Sequence, residues 1–238
     1  MTRDAVSISF AFGTFLQTLT EPSRGRLLAL GSIARFQSGH ALIRQGDTDD
    51  LVFVLLKSVA KVTARAENGA EALLAVRVSG DIVGDMAPLT GVPRSTSVTT
   101  CSESVVCVIK GPVFVDFMNQ HAAVGVALSR LIGERLRWAN ERRLDFAGYD
   151  ADICLARLLL AFAERHGRQT DAGTDIGVPL TQAELGGLIG AKEGTIQKAM
   201  RGLRNRGLVR NSQRRITITD PRGLAAYADL APTVLHPD

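Results

Sequence analysis

Apolar residues change their spacing twice along this chain, and the changes mark out its elements. From Ile33 to Ile109 they come in short runs divided by turn residues. LVFVLL (51–56), AKVTAR (60–65), LLAVRV (73–78) and SVVCVI (104–109) are the clearest runs, and turn signals fall at Gly39, Gly46-Asp47, Asn68-Gly69, Gly80-Asp81 and Gly91. Runs of this length between Gly, Asn and Asp read as strands, and an Asn-Gly pair between two of them is a strong hairpin signal. Many short strands with regular turns predict a small antiparallel roll or barrel. Ahead of it, Glu21 to Leu30 reads as a short amphipathic helix with Pro22 in its first turn. Residues 1–19 have weak pattern and read as an arm or a short helix.

From about Pro112 to Ala147 the spacing turns helical. Leu128, Leu131, Ile132, Leu136, Ala139 and Phe146 fall mainly at steps of three, four and seven, which places them on one helix face. A helix of about 25 residues spans about 38 Å, longer than a small roll needs for its own core. The arginines around the stripe leave only a narrow apolar seam, which favours pairing with a second copy. A helix packed on its own roll is the competing reading. Gly148 is a natural hinge. Asp150 to Glu164 reads as a further helix with Ile153, Leu155, Leu158, Leu159 and Phe162 inward. HGRQTDAGTDIGVP (166–179) reads as a loop.

The next segment has a sharper signature. Thr181 followed three residues later by Glu184 is a capping box, and Leu185, Leu188 and Ile189 supply the apolar face of the helix it opens. Gly190 ends that helix in a tight turn. Lys192 to Arg204 is then a second helix, with Ile196, Ala199, Met200 and Leu203 inward. ITI (216–218) after LVRNSQRR reads as a hairpin wing, DPRGL (220–224) caps a last helix, and PTVLHPD is a tail. Two short helices joined at a glycine, with a basic wing behind them, are what placing a helix in a major groove requires. Lys192, Glu193, Gln197 and Lys198 point to base edges. Thr181, Thr195, Arg201, Arg214 and Arg215 are better placed for phosphates. A helical hairpin whose wing binds protein is the bland alternative.

Charge strengthens the DNA reading. The formal net charge is only +4, but between Lys192 and Arg215 eight Lys and Arg accompany a single acid, Glu193. A basic patch of that kind is the footprint of a polyanion partner. Cys101, Cys107 and Cys154 lie in apolar stretches without metal-site spacing, which suits a reducing cytoplasm and argues against a bound metal. No run of 18 apolar residues predicts a membrane span, and the first 20 residues do not read as a signal peptide.

GDIVGDMAPLTGVPRSTS (80–97) carries the other candidate chemistry. Gly84-Asp85 and Arg94-Ser95-Thr96 flank a short loop holding Pro88, Gly91 and Pro93. Glycine lets backbone donors approach a ligand closely, and an Arg fork suits phosphate oxygens. A serine or threonine hydroxyl can add a bond to phosphate, and a carboxylate can accept from a ribose hydroxyl. No nucleophile–base pair accompanies Asp81, Asp85 and Arg94, so an enzyme is not expected.

This segment resembles the phosphate-binding cassette of the CRP/FNR family of transcription regulators, in which Gly-Glu precedes Arg-Ser/Thr-Ala. Asp85 stands for the Glu and Thr96 for the Ala. SGHALIRQGDTDDLVFVLLKSVAKV is similar to the family's opening strands, with Ser58 where a Gly commonly follows Lys. LTQAELGGLIGAKEGTIQKAMRGLRNRGLV is similar to its helix-turn-helix. The resemblance covers roughly residues 20–228. It implies an α+β fold: a jelly-roll-like antiparallel β-roll (20–117), a parallel dimerisation helix with hinge (118–149), a winged helix-turn-helix (150–228) and a tail (229–238). It implies a homodimer on palindromic double-stranded DNA, RNA polymerase as a candidate partner, and a cyclic nucleotide, cAMP first, as small-molecule effector. Its ligand residues are Gly84, Asp85, Met86, Arg94, Ser95 and Thr96, with Asn140 on the long helix facing the base. A regulator with another ligand or none is the alternative. An iron–sulfur member would need an N-terminal Cys cluster, which is absent from the sequence.

Overall fold

The computed structural model describes residues 10–11, 13–212 and 215–230. By its contacts the chain divides into two units, Met1–Ala60 with Arg77–Ile132, and Lys61–Val76 with Gly133–Asp238. The division at Ile132–Gly133 falls inside the long helix predicted from the sequence.

The first unit opens with two helices, α1 (Phe15–Thr18) and α2 (Glu21–Ala29). The Thr20 hydroxyl caps α2 by accepting from the Ser23 N–H, and Pro22 sits in the first turn. Eight strands follow in the chain: β1 (Ser32–Phe36), β2 (Ala41–Ile43), β3 (Val52–Lys57), β4 (Val59–Arg65), β5 (Glu71–Val78), β6 (Ile82–Val83), β7 (Ser97–Thr100) and β8 (Ser104–Ile109), with α3 (Met86–Thr90) between β6 and β7; Lys61–Val76, most of β4 and β5, is grouped with the second unit. They form two sheets, ordered β1-β8-β3-β6 and β2-β7-β4-β5. β3 is buried continuously from Val52 to Leu55, which is why its sequence reads as an apolar run instead of an alternation. Phe15, Leu16, Leu27, Val54, Ile82, Ile109 and Phe114 make up much of the core. The amino-terminal segment thus delivers Phe15 and Leu16 into the roll; residues 1–9 and 12 lie outside the described residues. At the Ser58 turn the backbone needs no positive φ, so serine fits. Its buried hydroxyl bonds that of Ser104 at 2.8 Å.

α4 (Gly111–Gln120) leads into α5 (Ala122–Gly148). Here the expected single stripe splits in two. Leu128 and Leu131 join Val124 and Ala127 in the core of the first unit. Leu136 is 62% exposed, Leu144 71% and Phe146 58%. The seam expected from Leu128 to Phe146 therefore loses its early apolar residues, which the roll uses.

The second unit continues with α6 (Ala151–His166), β9 (Arg168–Thr170), β10 (Gly173–Asp175), α7 (Gln182–Ile189), α8 (Glu193–Asn205), β11 (Val209–Ser212), β12 (Arg215–Ile218) and α9 (Pro221–Tyr227). Leu155, Leu158, Leu159 and Phe162 of α6 are buried, as their spacing predicts; Ile153 is only half-buried. Asp145 fastens α5 to α6 by accepting from Arg157 at 3.0 Å, and it forms an ion pair with Arg142 within α5 at 2.9 Å. The segment expected to be a loop holds the hairpin β9–β10, whose second strand pairs with β12 in a sheet ordered β11-β12-β10-β9. A Cβ on Gly173 would stand 2.2 Å from the Ile218 carbonyl oxygen, so glycine is what lets β10 lie against β12. Strands this short and polar carry no apolar alternation to reveal them.

Candidate functional site

β6 ends at Val83 and α3 begins at Met86, leaving Gly84 and Asp85 as an elbow. Gly84 has φ +81°, a region that costs a side chain dearly. A Cβ there would also meet the Leu51 carbonyl oxygen at 2.6 Å and the Arg94 Nη1 at 3.0 Å. Asp85 is buried and Met86 exposed. α3 closes on Gly91 in the left-handed region, and the chain returns to Arg94.

Arg94 turns out to be held from several sides, its side chain only 2% exposed. Its Nη2 donates to Asp49 Oδ1 at 2.5 Å and to the Leu51 carbonyl at 2.6 Å. Its Nη1 donates to the Gly84 carbonyl at 2.8 Å, and its Nε to Asp49 Oδ2 at 3.4 Å. The main chain repeats the link: Gly46 N–H donates to the Arg94 carbonyl and Arg94 N–H to the Asp47 carbonyl, both at 2.8 Å. The bond from Arg94 keeps the Asp49 carboxyl below its ordinary range, outweighing the upward push of burial. Ser95 beside it is exposed and Thr96 half-buried. The structure therefore brings Gly84 and Arg94 into direct contact, with Asp85, Met86, Ser95 and Thr96 flanking them in the chain. Asn140 is exposed on α5 in the second unit.

Sequence reading missed Asp49. The loop from Gly46 to Asp50 is acidic, but Asp49 lies 45 residues from Arg94, and no local pattern joins them. What the residues around Gly84 offer chemically is an anion-seeking fork that already holds an anion, beside an exposed serine hydroxyl.

The second candidate site is assembled from local signals. The Thr181 hydroxyl accepts from the Glu184 N–H at 3.2 Å, and Glu184 Oε2 accepts from the Thr181 N–H at 2.8 Å, completing the capping box. Gly190 ends α7 with φ +69°. Lys192 is the N-cap residue of α8, and Ile196, Ala199, Met200 and Leu203 are buried, the four that periodicity turned inward. Lys192, Glu193, Thr195, Gln197, Lys198 and Arg201 are all exposed, as is Arg215 at the start of β12; Thr181 is half-buried. A Cβ on Gly194 would find nothing within 4 Å, so that position leaves a gap in the exposed face. Arg204 donates to Asn211 Oδ1 at 2.9 Å, tying α8 to the wing. Arg214 lies outside the described residues.

One tie here has no sequence signal either. Lys61 of β4 reaches Glu184 Oε1 at 2.6 Å, and a Cβ on Gly187 would stand 2.8 Å from the Leu73 backbone nitrogen. The β4–β5 segment of the second unit thus packs on α7.

Residues 33–121 match the family model of the cyclic nucleotide-binding domain, and residues 155–227 that of the Crp-like helix-turn-helix domain. The chain belongs to the CRP/FNR family of transcription regulators. Among similar CRP/FNR proteins is the CRP-like cAMP-activated global transcriptional regulator of Mycobacterium tuberculosis, 28% identical over 81% of this chain and 86% of that protein. The cAMP-activated global transcriptional regulator CRP of Salmonella typhimurium is 24% identical, over 80% of this chain and 90% of that one. The fold agrees with that of a CooA mutant from Carboxydothermus hydrogenoformans, at TM-score 0.72 and 16% identity over 93% of this chain and 99% of the other. It also agrees with the c-di-GMP-responsive global regulator CLP of Xanthomonas campestris, at TM-score 0.68 and 18% identity over 84% of this chain and 99% of that one. The α+β architecture of β-roll, long helix and winged helix-turn-helix is that of the CRP/FNR regulators. Among the described residues no helix is long and apolar enough to cross a membrane and no cluster suits a metal ion.

Proposed function

We propose that this chain acts in the cytoplasm as a homodimer that takes a cyclic nucleotide, cAMP first among candidates, in its β-roll and binds a roughly palindromic double-stranded DNA operator. It does so without catalysis, and RNA polymerase is its downstream partner. The observation that carries the reading is α8, whose inner residues are buried while Gln197, Lys198 and Arg201 stand exposed behind the Lys192 cap. Lys192, Glu193, Gln197 and Lys198 read base edges; Thr181, Thr195, Arg201, Arg214 and Arg215 hold phosphates. Gly84, Asp85, Met86, Arg94, Ser95 and Thr96 receive the nucleotide's sugar-phosphate, and Asn140 its base. Exposed Leu136 and Leu144 supply the seam between copies. Residues 20–117, 118–149 and 150–228 are the corresponding functional segments. The relatives named as cAMP-activated support the choice of ligand.

Site selection from a random duplex pool, with and without cAMP, tests this. The expected motif has two half-sites about 34 Å apart, enriched more strongly with cAMP. Leu136→Glu, by placing like charges across the seam, should give a monomer in sedimentation and lose operator affinity. A wild-type monomer at micromolar concentration would sink the dimer.

The Asp49–Arg94 pair favours a second reading, in which the roll holds no nucleotide and DNA binding needs no effector. Calorimetry with cAMP, cGMP and cyclic dinucleotides separates the two.

A further inference from the structure

The Arg94 guanidinium carries five N–H donors. Its Nε donates to Asp49, its Nη2 to Asp49 and Leu51, and its Nη1 to Gly84. The carbonyls of Leu51 and Gly84 fix the fork from the protein side, and Asp49 takes the remaining edge. The two partners differ sharply in exposure: the Arg94 side chain is 2% exposed and that of Asp49 42%. Asp49 also stands in a loop without strand or helix, between β2 and β3. The cation is thus covered, and what covers it is the part of the pair that already faces solvent.

A phosphodiester that pairs with Arg94 needs the edge Asp49 occupies. The two anions cannot share it, since like charges at that spacing repel strongly in a partly dry site. Rotating Asp49 outward would release the edge without disturbing the two carbonyls. The main-chain bonds of Gly46 and Asp47 to Arg94 keep the loop in place while the side chain moves.

Resting on the nucleotide-binding reading of this site, we infer that Asp49 is a specificity-determining residue, an internal carboxylate that competes with the ligand's phosphate for Arg94. The site then closes on itself when empty. A nucleotide must displace Asp49 to enter, which sets its affinity below what the Arg94 fork would otherwise give. Ligands that reach Arg94 without displacing Asp49, such as a neutral hydrogen-bond acceptor meeting the remaining Nη1 hydrogen, escape the competition.

Isothermal titration of the full-length protein with cAMP and cGMP tests this, using wild type, Asp49→Asn, Arg94→Ala and the double variant. Asn keeps the size of Asp and an acceptor for Arg94, and a circular-dichroism melt confirms folding; Asp49→Ser serves if Asn does not fold. The expected result is binding roughly tenfold tighter in Asp49→Asn than in wild type, the size of one charge-assisted bond no longer broken. The gain should vanish in the Arg94→Ala background, because it acts through that guanidinium. Tight binding by Asp49→Asn with none by wild type supports the inference equally. Weaker or equal binding by folded Asp49→Asn overturns it and leaves the nucleotide site standing, since Asp49 would then merely hold Arg94 in position. No binding by wild type or by either Asp49 variant overturns the nucleotide site, and the inference with it.

Discussion

The loop around Arg94 and the helix pair around Gly190, the two sites proposed for an anionic partner, hold their charged groups in opposite ways. Around Arg94 the cation is buried, and its hydrogen bonds run to residues far away in the chain. On α8 the polar residues are exposed, and what positions them is the burial of Ile196, Ala199, Met200 and Leu203 beneath. In the first place the functional group and the fold are one structure. In the second they are separable, and variants should show it.

The largest expected effect is that of Arg94→Ala on stability. It would leave the Leu51 and Gly84 carbonyls and the Asp49 carboxylate without their donor. Breaking a buried pair costs about 3–5 kcal/mol, but Asp49 is partly solvated, so roughly 3 kcal/mol is expected. Urea unfolding measures it. A loss under about 0.5 kcal/mol would mean Arg94 is a ligand residue only, and the contrast between the two sites would collapse. Gly84→Ala comes next, at about 2 kcal/mol. It forces a side chain to φ +81° against a carbonyl 2.6 Å away, and the left-handed torsion alone costs roughly 1–2 kcal/mol.

The same contrast explains what is legible in the sequence. The helix-turn-helix is specified locally. A capping box spans four residues, an apolar stripe repeats within two turns, and a glycine marks the bend, so the amino-acid order alone reveals the inward residues of α8 and the Thr181 cap. The cassette is half legible. Gly84 and Arg94 stand out because their chemistry is unusual for a strand region. Asp49 does not, because an acid in a turn needs no special reason to be there, and its pairing arises only from the closure of the roll. The split of α5 is a similar case. Leu128 and Leu136 lie on one periodic face, but periodicity does not say whether a face meets its own domain or a neighbour. The β9–β10 hairpin has no apolar signal at all.

On the DNA side, effects should appear in binding and not in folding. Gln197→Ala should cost about 1–3 kcal/mol on the best site and relax preference at one base pair per half-site. Arg215→Ala should weaken all sequences about equally and lower the salt slope by about one. Both residues are exposed, so unfolding free energies should move by less than about 0.5 kcal/mol. If the Gln197→Ala motif matches wild type at every position and the Arg215→Ala motif does not, helix and wing have exchanged roles.

The smallest effect tests where the separation ends. Glu184 serves the capping box through Oε2 and receives Lys61 on Oε1. Burial pushes its carboxyl upward, but Lys61 and the Thr181 N–H together bring it below its ordinary range. A carboxyl lowered on folding stabilises fully above its unfolded pKa, about 4.3, and that contribution is lost as pH falls through the folded value. Lys61→Met keeps the apolar stem and removes the charge. It should therefore lower stability at pH 7 by roughly 0.5–1 kcal/mol, with the deficit shrinking as the pH drops below that unfolded value and Glu184 takes up its proton. Thr181→Ala differs: it removes a hydroxyl that accepts a backbone bond, costs about 1 kcal/mol, and leaves the Lys61 bond in place. Thermal melts of both variants from pH 7 to pH 3 distinguish them. If the Lys61→Met deficit does not shrink in acid, the bridge is not what holds Glu184 ionised, and α7 owes its position to the close packing of Gly187 against Leu73 instead.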